Sequence, residues 1–467
     1  MSDTSKPQFR RTLGPVELTL FGVTYMTIAV VFTTYGVVNQ VTDGHLAAAY
    51  TLAIVAMLFT ASSYATLARK YPVAGSAYTY TQQAFGGFAG FITGWVILLD
   101  YLFIPMINFM VIGIYLHTQY PTVPEWVFTI AALLLVLVFN LLGISFVNRA
   151  NFAIIALSVL LVLVFMLLAF KQVLGGDTSV GLLEPFSFGE GGIGAIASGA
   201  AILSLSFLGF DAVSTLSEEA KNARRDIPRA IFASILVSGL LFVLVAWTGG
   251  LAYSPDWATL STEDVDAAGV TLVGELGGAP FTAFFIAVYV VSSFGSAMTG
   301  QASVSRLLFA MGRDGVLPRP LARLHPRFGT PFIAVIVVSL LAMSSLVLDL
   351  NTAAFMISFG ALAAFAMVNL SVMKDLFFSR QGREQRTLRT VLVHLVSPLI
   401  AFGLTVWLWT SLDPFTWIVG GIWILLGVVI IGIITRGFRR PVPKLDFSGD
   451  SPTTTQIDQL GETPAPR

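Results

Sequence analysis

The chain has 467 residues, of which 55% are hydrophobic and only 11% charged, with a formal net charge of +0. A water-soluble domain carries about 25% charged residues, so this composition excludes a soluble fold and names lipid as the solvent. Zero cysteines exclude disulfides and thiolate metal sites, and the balanced charge offers nothing to a nucleic acid or other polyanion.

Apolar runs of about 20 residues, the length needed to cross roughly 30 Å of hydrocarbon, fall near 16–40, 44–68, 84–116, 124–142, 146–170, 193–215, 231–252, 280–309, 331–349, 352–373, 391–411 and 414–435. Open sheet edges are not tolerated in lipid and the runs do not alternate, so the reading is an all-α membrane protein with about twelve transmembrane helices. Residues 1–15 form a polar N-terminal segment and 16–436 the membrane domain. The stretch 437–467, rich in Pro, Thr, Ser, Asp and Gln from 441 on, reads as a disordered tail.

Basic residues test the count. With the N-terminus in the cytoplasm, Lys6, Arg10 and Arg11 lie inside, as do Arg69, Lys70, Arg149, Lys221, Arg224, Arg225 and Arg229. The same alternation puts Arg306, Arg313, Arg319, Arg323 and Arg327 inside, then Lys374, Arg380, Arg383, Arg386 and Arg389. Arg436, Arg439, Arg440, Lys444 and Arg467 follow at the C-terminal end, so of 26 basic residues only Lys171 falls outside. External loops carry acids: Asp256, Glu263, Asp264, Asp266 and Glu275. Both termini are therefore expected in the cytoplasm.

The first and sixth runs mix Gly with β-branched and hydroxyl residues, at 22–36 and 204–215. They lie five runs apart, the spacing at which inverted repeats of five helices place a pair of interrupted helices. Ordinary close helix packing also uses such residues.

Charge inside the spans is sparse and of one sign. Asp100 falls midway along the third run, Asp211 just past the sixth run's expected break, and Glu17 near the start of the first. No Lys or Arg lies near the middle of any run. A carboxylate at that depth costs several kcal/mol unless it is paired or faces a water-filled cavity. Its partner is then a bound cation, a proton or a hydrogen-bonding shell; for Asp211 a helix cap is the structural alternative. The four histidines, His45, His117, His325 and His394, lack ligand spacing. No Ser-His-Asp set or metal-binding carboxylate cluster lies within the spans, so the chain does not read as an enzyme and needs no cofactor.

Three stretches carry a resemblance: Tyr71-Pro-Val-Ala-Gly-Ser-Ala-Tyr-Thr-Tyr80 with Phe85-Gly86; Phe207-Leu-Gly-Phe-Asp211 running on to Ser217 through Ala230; and Ser305-Arg-Leu-Leu-Phe-Ala-Met-Gly-Arg-Asp-Gly-Val-Leu-Pro318. In order and at these topological positions, they resemble the amino acid–polyamine–organocation superfamily. Within it, Tyr25-Met26, Tyr35-Gly36, and Gly94-Trp95 running to Leu99-Asp100-Tyr101 look like the bacterial putrescine importers. The resemblance implies a five-plus-five inverted repeat, discontinuous helices one and six, and two peripheral helices. It also implies residence in the bacterial inner membrane and transport driven by an ion gradient.

Two aspartates would suit a diamine, so Asp100 and Asp211 are the expected ammonium partners, with Asp211 also the proton-coupling group. Amino-acid carriers of the superfamily usually bring a glycine-rich break in helix one, whose bare N–H groups hold a carboxylate. Here that stretch runs from Thr27 to Thr34 with no glycine, which favours an amine over an amino acid, the alternative substrate. Tyr25, Thr27, Tyr101, Phe207 and Phe210 are the further binding candidates, the aromatics through cation–π contact. Tyr78 and Tyr80, in the expected loop before the third helix, are gate candidates. The fifth helix has Ser158 where many relatives of this superfamily have a lysine, so sodium held near Ser292 and Ser293 stays the alternative to the preferred proton.

Overall fold

The computed structural model describes residues 13–27, 29–72, 76–142, 147–176, 178, 180–218, 220–313, 317–379, 387–437 and 439. Apart from 437 and 439, the expected tail lies outside these residues. So do Lys6, Arg10, Arg11, Arg380, Arg383, Arg386, Arg440, Lys444 and Arg467, and parts of the motifs at 28, 73–75, 219 and 314–316.

Eleven described helices are long and apolar enough to cross a bilayer, and the shorter apolar helix Phe332–Leu346 stands between the eighth and the next. Together they match the twelve expected runs. In chain order, crossing one comprises Pro15–Tyr25, Val30–Thr33 and Tyr35–Thr42. Crossings two to five are Leu46–Lys70, Gly87–Gln119, Glu125–Leu142 and Val147–Leu174. Crossing six is Gly192–Ser214, seven Ala223–Ala252, and eight the later arm of Thr262–Arg313; nine is Phe332–Leu346, ten Leu350–Phe377, eleven Leu388–Thr410 and twelve Pro414–Ile434.

Contacts repeat under a shift of five crossings. One packs on seven as six packs on two; three packs on ten as eight packs on five; three packs on four as eight packs on nine. Two packs on ten as seven packs on five, and the pairs two–seven and three–eight close the set. That is the pattern of a five-plus-five repeat. Crossings eleven and twelve stand outside it, packed on two, three and ten.

Both expected breaks occur, with different local chemistry. Crossing six passes from α-helix to a 3₁₀ turn at Ser204–Phe207, then to extended Leu208 and to Gly209 at φ 126°. That backbone region is open only to glycine. Crossing one breaks at Thr27, φ 46°, without a glycine. The β-branched Thr27, Val30, Val31, Thr33 and Thr34 resist continuous helix there.

Two expected loops are helices. Residues 76–85 form the helix Ser76–Phe85, ended by Gly86 at φ 90°; no Gly or Pro interrupts the intervening sequence. The acid-bearing stretch from Thr262 is also helical, up to Gly278 at φ 63°, where the chain turns into crossing eight. These two helices occupy matching places in the repeat. The first packs on Ala212–Glu218 of crossing six and the second on Tyr35–Thr42 of crossing one. Gly36 is required there, because a side chain would drive into the carbonyl of Val265. Crossings seven and eight likewise run past their expected ends, taking in Arg224, Arg225, Arg229 and Arg313.

Candidate functional site

The two breaks meet at the centre of the molecule. The ring of Tyr25, the last helical residue before the first break, lies so close to Gly209 that a Cβ there would stand 2.6 Å from the ring. Crossing three crosses beside them, with Asp100 only 6% exposed and its Oδ1 without a hydrogen-bond partner among the described residues. Gly360 of crossing ten permits that approach: a Cβ on it would lie 2.9 Å from the Val96 carbonyl.

Asp211 is held on both sides. Its Oδ1 accepts the Gly209 N–H at 3.2 Å within the break, and its Oδ2 accepts the Ser76 hydroxyl at 3.3 Å from the helix Ser76–Phe85. Asp100, Asp211, Tyr25, Tyr64, Tyr101 and Phe365 line one chamber of about 20 Å³, space for about one water. Next to it lies a vestibule of about 340 Å³ between crossings one, three, five and eight. Tyr25, Tyr101, Ile104 and Leu208 belong to both and form the partition.

Among the described residues no Lys, Arg or His lines either space, so there the chamber carries two carboxylates and no fixed counter-charge. The vestibule is hydroxyl-rich instead. Ser158 and Ser292 share a 3.1 Å hydrogen bond, Asn108 Nδ2 donates to Ser296 at 3.2 Å, and Thr33 pairs with the Tyr289 hydroxyl. Thr27, Ser292 and Ser293 also face this space. Pro105, inside crossing three, brings no N–H, so the Tyr101 carbonyl loses its helical donor beside the chamber.

Phe207 and Phe210 line neither space. Phe207 packs on Phe242 at 5.6 Å, and Phe210 on Tyr64 at 5.3 Å and Phe365 at 5.2 Å. The turn at Gly209 sends both rings into the core, and the aromatic wall is supplied by Tyr64 and Phe365 instead. Tyr78 packs near Phe91 and Trp95, and Tyr80 meets Tyr64 edge-on at 5.9 Å; neither reaches the cavities. Sequence reasoning missed Tyr64, Phe365 and Ser76. The polar run Ser62-Ser63-Tyr64 inside an apolar helix was the available signal for the first. Among the described residues no group of His, Cys, Asp or Glu is arranged to hold a metal ion.

The amino acid permease family pattern matches residues 18–435, the whole membrane domain. The low-affinity putrescine importer PlaP of Escherichia coli K12 is 38% identical over 95% of this chain and 98% of its own length. The branched-chain amino acid permease BcaP of Bacillus subtilis is 28% identical over 93% of this chain and 95% of its own length, and the methylthioribose transporter of the same organism is 27% identical over 91% and 94%. With broken crossings around a central chamber and a match that spans every crossing, the chain belongs to the amino acid permease family and is a membrane transporter rather than an enzyme.

Proposed function

We propose that this transporter imports a small cationic amine, putrescine foremost, across the bacterial inner membrane, with both termini in the cytoplasm. One observation carries the reading: Asp100 and Asp211 face the same chamber and, among the described residues, no basic side chain does. A diamine supplies the missing positive charges. The Oδ1 of Asp100, which has no hydrogen-bond partner among the described residues, accepts one ammonium. Asp211 takes the other, with Tyr25, Tyr64 and Tyr101 supplying cation–π contact worth about 0.5–2 kcal/mol each.

The break in crossing one supports an amine over an amino acid. Two of its amides are spent inside the chain: Thr27 N–H bonds the Thr24 carbonyl at 3.1 Å and Val30 N–H the Thr27 carbonyl at 2.8 Å. Neither is left for a substrate carboxylate. The relative with highest identity among those above is named for putrescine import, which supports the same cargo. A chamber of about 20 Å³ admits a diamine only when the Tyr25–Tyr101 partition parts toward the vestibule.

The driving force in this reading is the proton gradient, with Asp211 as the titrating group, aided by about 2.3 kcal/mol per imported charge at 100 mV. The test is uptake of radiolabelled putrescine into proteoliposomes under separate proton and sodium gradients, with amino acids as competitors. Saturable entry driven by the proton gradient is expected. Entry of a labelled neutral amino acid with no putrescine entry would overturn the reading in favour of an amino-acid permease, and dependence on sodium would move the coupling to the Ser292–Ser293 region.

A further inference from the structure

The vestibule of about 340 Å³ has no part in holding a diamine between Asp100 and Asp211, yet its wall continues the chamber-lining face of crossing three. Asp100, Tyr101 and Ile104 line the chamber; Tyr101, Ile104, Asn108 and Val111 line the vestibule. Spacings of three and four residues put the second set on one face of the helix. Among the described residues no carboxylate or basic side chain lines the vestibule, so any charge it holds is met by neutral groups and water.

Along that face two carbonyl oxygens stand open. Asn108 Nδ2 donates to the Ile104 carbonyl at 2.8 Å and to the Ser296 hydroxyl of crossing eight at 3.2 Å. A carbonyl only accepts, so the first bond fixes which end of the amide is nitrogen. Asn108 Oδ1 is then an acceptor with no hydrogen bond among the described residues. Nearer the chamber, the Tyr101 carbonyl has lost its helical donor to Pro105. An ammonium group brings only donors, and both oxygens suit it. A cavity with room for water also lowers the cost of charge at this depth.

Spacing selects the ligand. Asp100 and Asn108 are eight residues apart on one uninterrupted helix, about 12 Å along its axis. An extended chain rises about 3.6 Å per three bonds, so the five bonds between the nitrogens of putrescine span about 6 Å and fall short of Asn108. The nine bonds between the terminal nitrogens of spermidine span about 11 Å. We propose that Asn108, held by Ser296, forms a neutral ammonium subsite that extends recognition to an aliphatic triamine lying lengthwise through the parted Tyr25–Tyr101 partition. The first ammonium fills the water-sized chamber, facing both carboxylates. The central one passes the two tyrosines beside the freed Tyr101 carbonyl, and the far one donates to Asn108 Oδ1. This rests on the amine reading above and adds a position that a diamine does not reach.

The test is direct binding of labelled spermidine to the full chain in lipid nanodiscs, displaced by unlabelled amines. N-butylputrescine has the length of spermidine and two of its three nitrogens, with a methyl group in place of the far ammonium. Spermidine is expected to bind about tenfold more tightly than N-butylputrescine, the scale of one hydrogen bond to a charged group. Asn108→Leu keeps the volume and removes the acceptor, so it is expected to erase that difference; a difference that persists in the variant overturns the subsite. Equal or tighter binding of N-butylputrescine by the wild type also overturns it, because the vestibule then takes an alkyl tail. That comparison needs no variant and decides the matter should Asn108→Leu fail to fold. Putrescine uptake in proteoliposomes without any spermidine binding overturns this proposal alone. Wild-type protein that neither binds spermidine nor takes up putrescine overturns the amine reading with it.

Discussion

Tyr25 and Gly209 bind the two broken crossings into one joint: the tyrosine ring closes on the glycine so tightly that a Cβ would sit 2.6 Å from its Cδ1. Gly209 is also at φ 126°, a conformation side chains rarely adopt. Gly209→Ala is therefore expected to abolish uptake while the protein still reaches the membrane. Backbone strain of this kind costs about 1–3 kcal/mol, too little to unfold twelve packed crossings. Adding Tyr25→Ala relieves the clash but not the strain, so the double variant stays inactive. Recovery of uptake in the double variant would show that the clash alone matters.

The carboxylates separate by substrate charge. Asp100→Asn keeps the shape and removes one negative charge, so it is expected to raise KM for a diamine more than for a monoamine of equal length. A hydrogen bond to a charged group contributes about 1.5–3 kcal/mol, which corresponds to a KM change of roughly tenfold to a hundredfold. Equal effects on both substrates would remove Asp100 from ammonium binding. Asp211→Asn is expected to abolish accumulation of either substrate, since both the ammonium partner and the titrating group are lost. Uptake assays with putrescine and butylamine check both.

Crossing twelve is locked to crossing three by two tryptophans. Trp95 Nε1 donates to the Trp423 carbonyl at 2.8 Å, Trp423 Nε1 donates to the Trp95 carbonyl at 2.9 Å, and the rings stack at 4.8 Å. Gly427 leaves room for the Trp95 ring. Trp95→Phe keeps most of the stacked surface and loses one hydrogen bond, so a loss of about 0.6–1 kcal/mol is expected. Trp95→Ala also opens a cavity and is expected to cost about 3–5 kcal/mol. Thermal unfolding in detergent orders the two, and transport by Trp95→Phe stays near wild type because neither ring lines a cavity.

The fold was legible where physics leaves one choice. Hydrocarbon thickness demands runs of about 20 apolar residues, so all twelve crossings could be placed, and charge inside such a run is costly enough that Asp100 and Asp211 stood out. The helices at Ser76–Phe85 and after Thr262 were not legible as helices, because they are polar and lie between crossings. Phe207 and Phe210 lie near the break in sequence, but the Gly209 turn aims both rings into the core. Tyr64 is a residue of an ordinary helix, and its place on the chamber wall depends on how crossing two is rotated against crossings six and ten. Tertiary packing sets that rotation.

The far ends of crossings two and ten are joined at Asp375, whose Oδ2 accepts from Lys70 Nζ at 2.8 Å and from the Tyr71 hydroxyl at 2.9 Å. The neighbouring Lys374 lies over the Phe85 ring at 4.2 Å, tying in the helix that begins with Ser76. The Lys70 side chain is 34% exposed, so the ion pair is expected to contribute only about 0.2–1 kcal/mol. Lys70→Gln and Asp375→Asn should each lower the midpoint of thermal unfolding slightly. In a double-mutant cycle their coupling should fall within that range and shrink between low and high salt. A coupling well above 1 kcal/mol, or one indifferent to salt, would show that the pair acts as a buried strut. In that case Asp375 would be holding the Ser76 helix in place against Asp211, and Asp375→Asn would impair transport as well as stability.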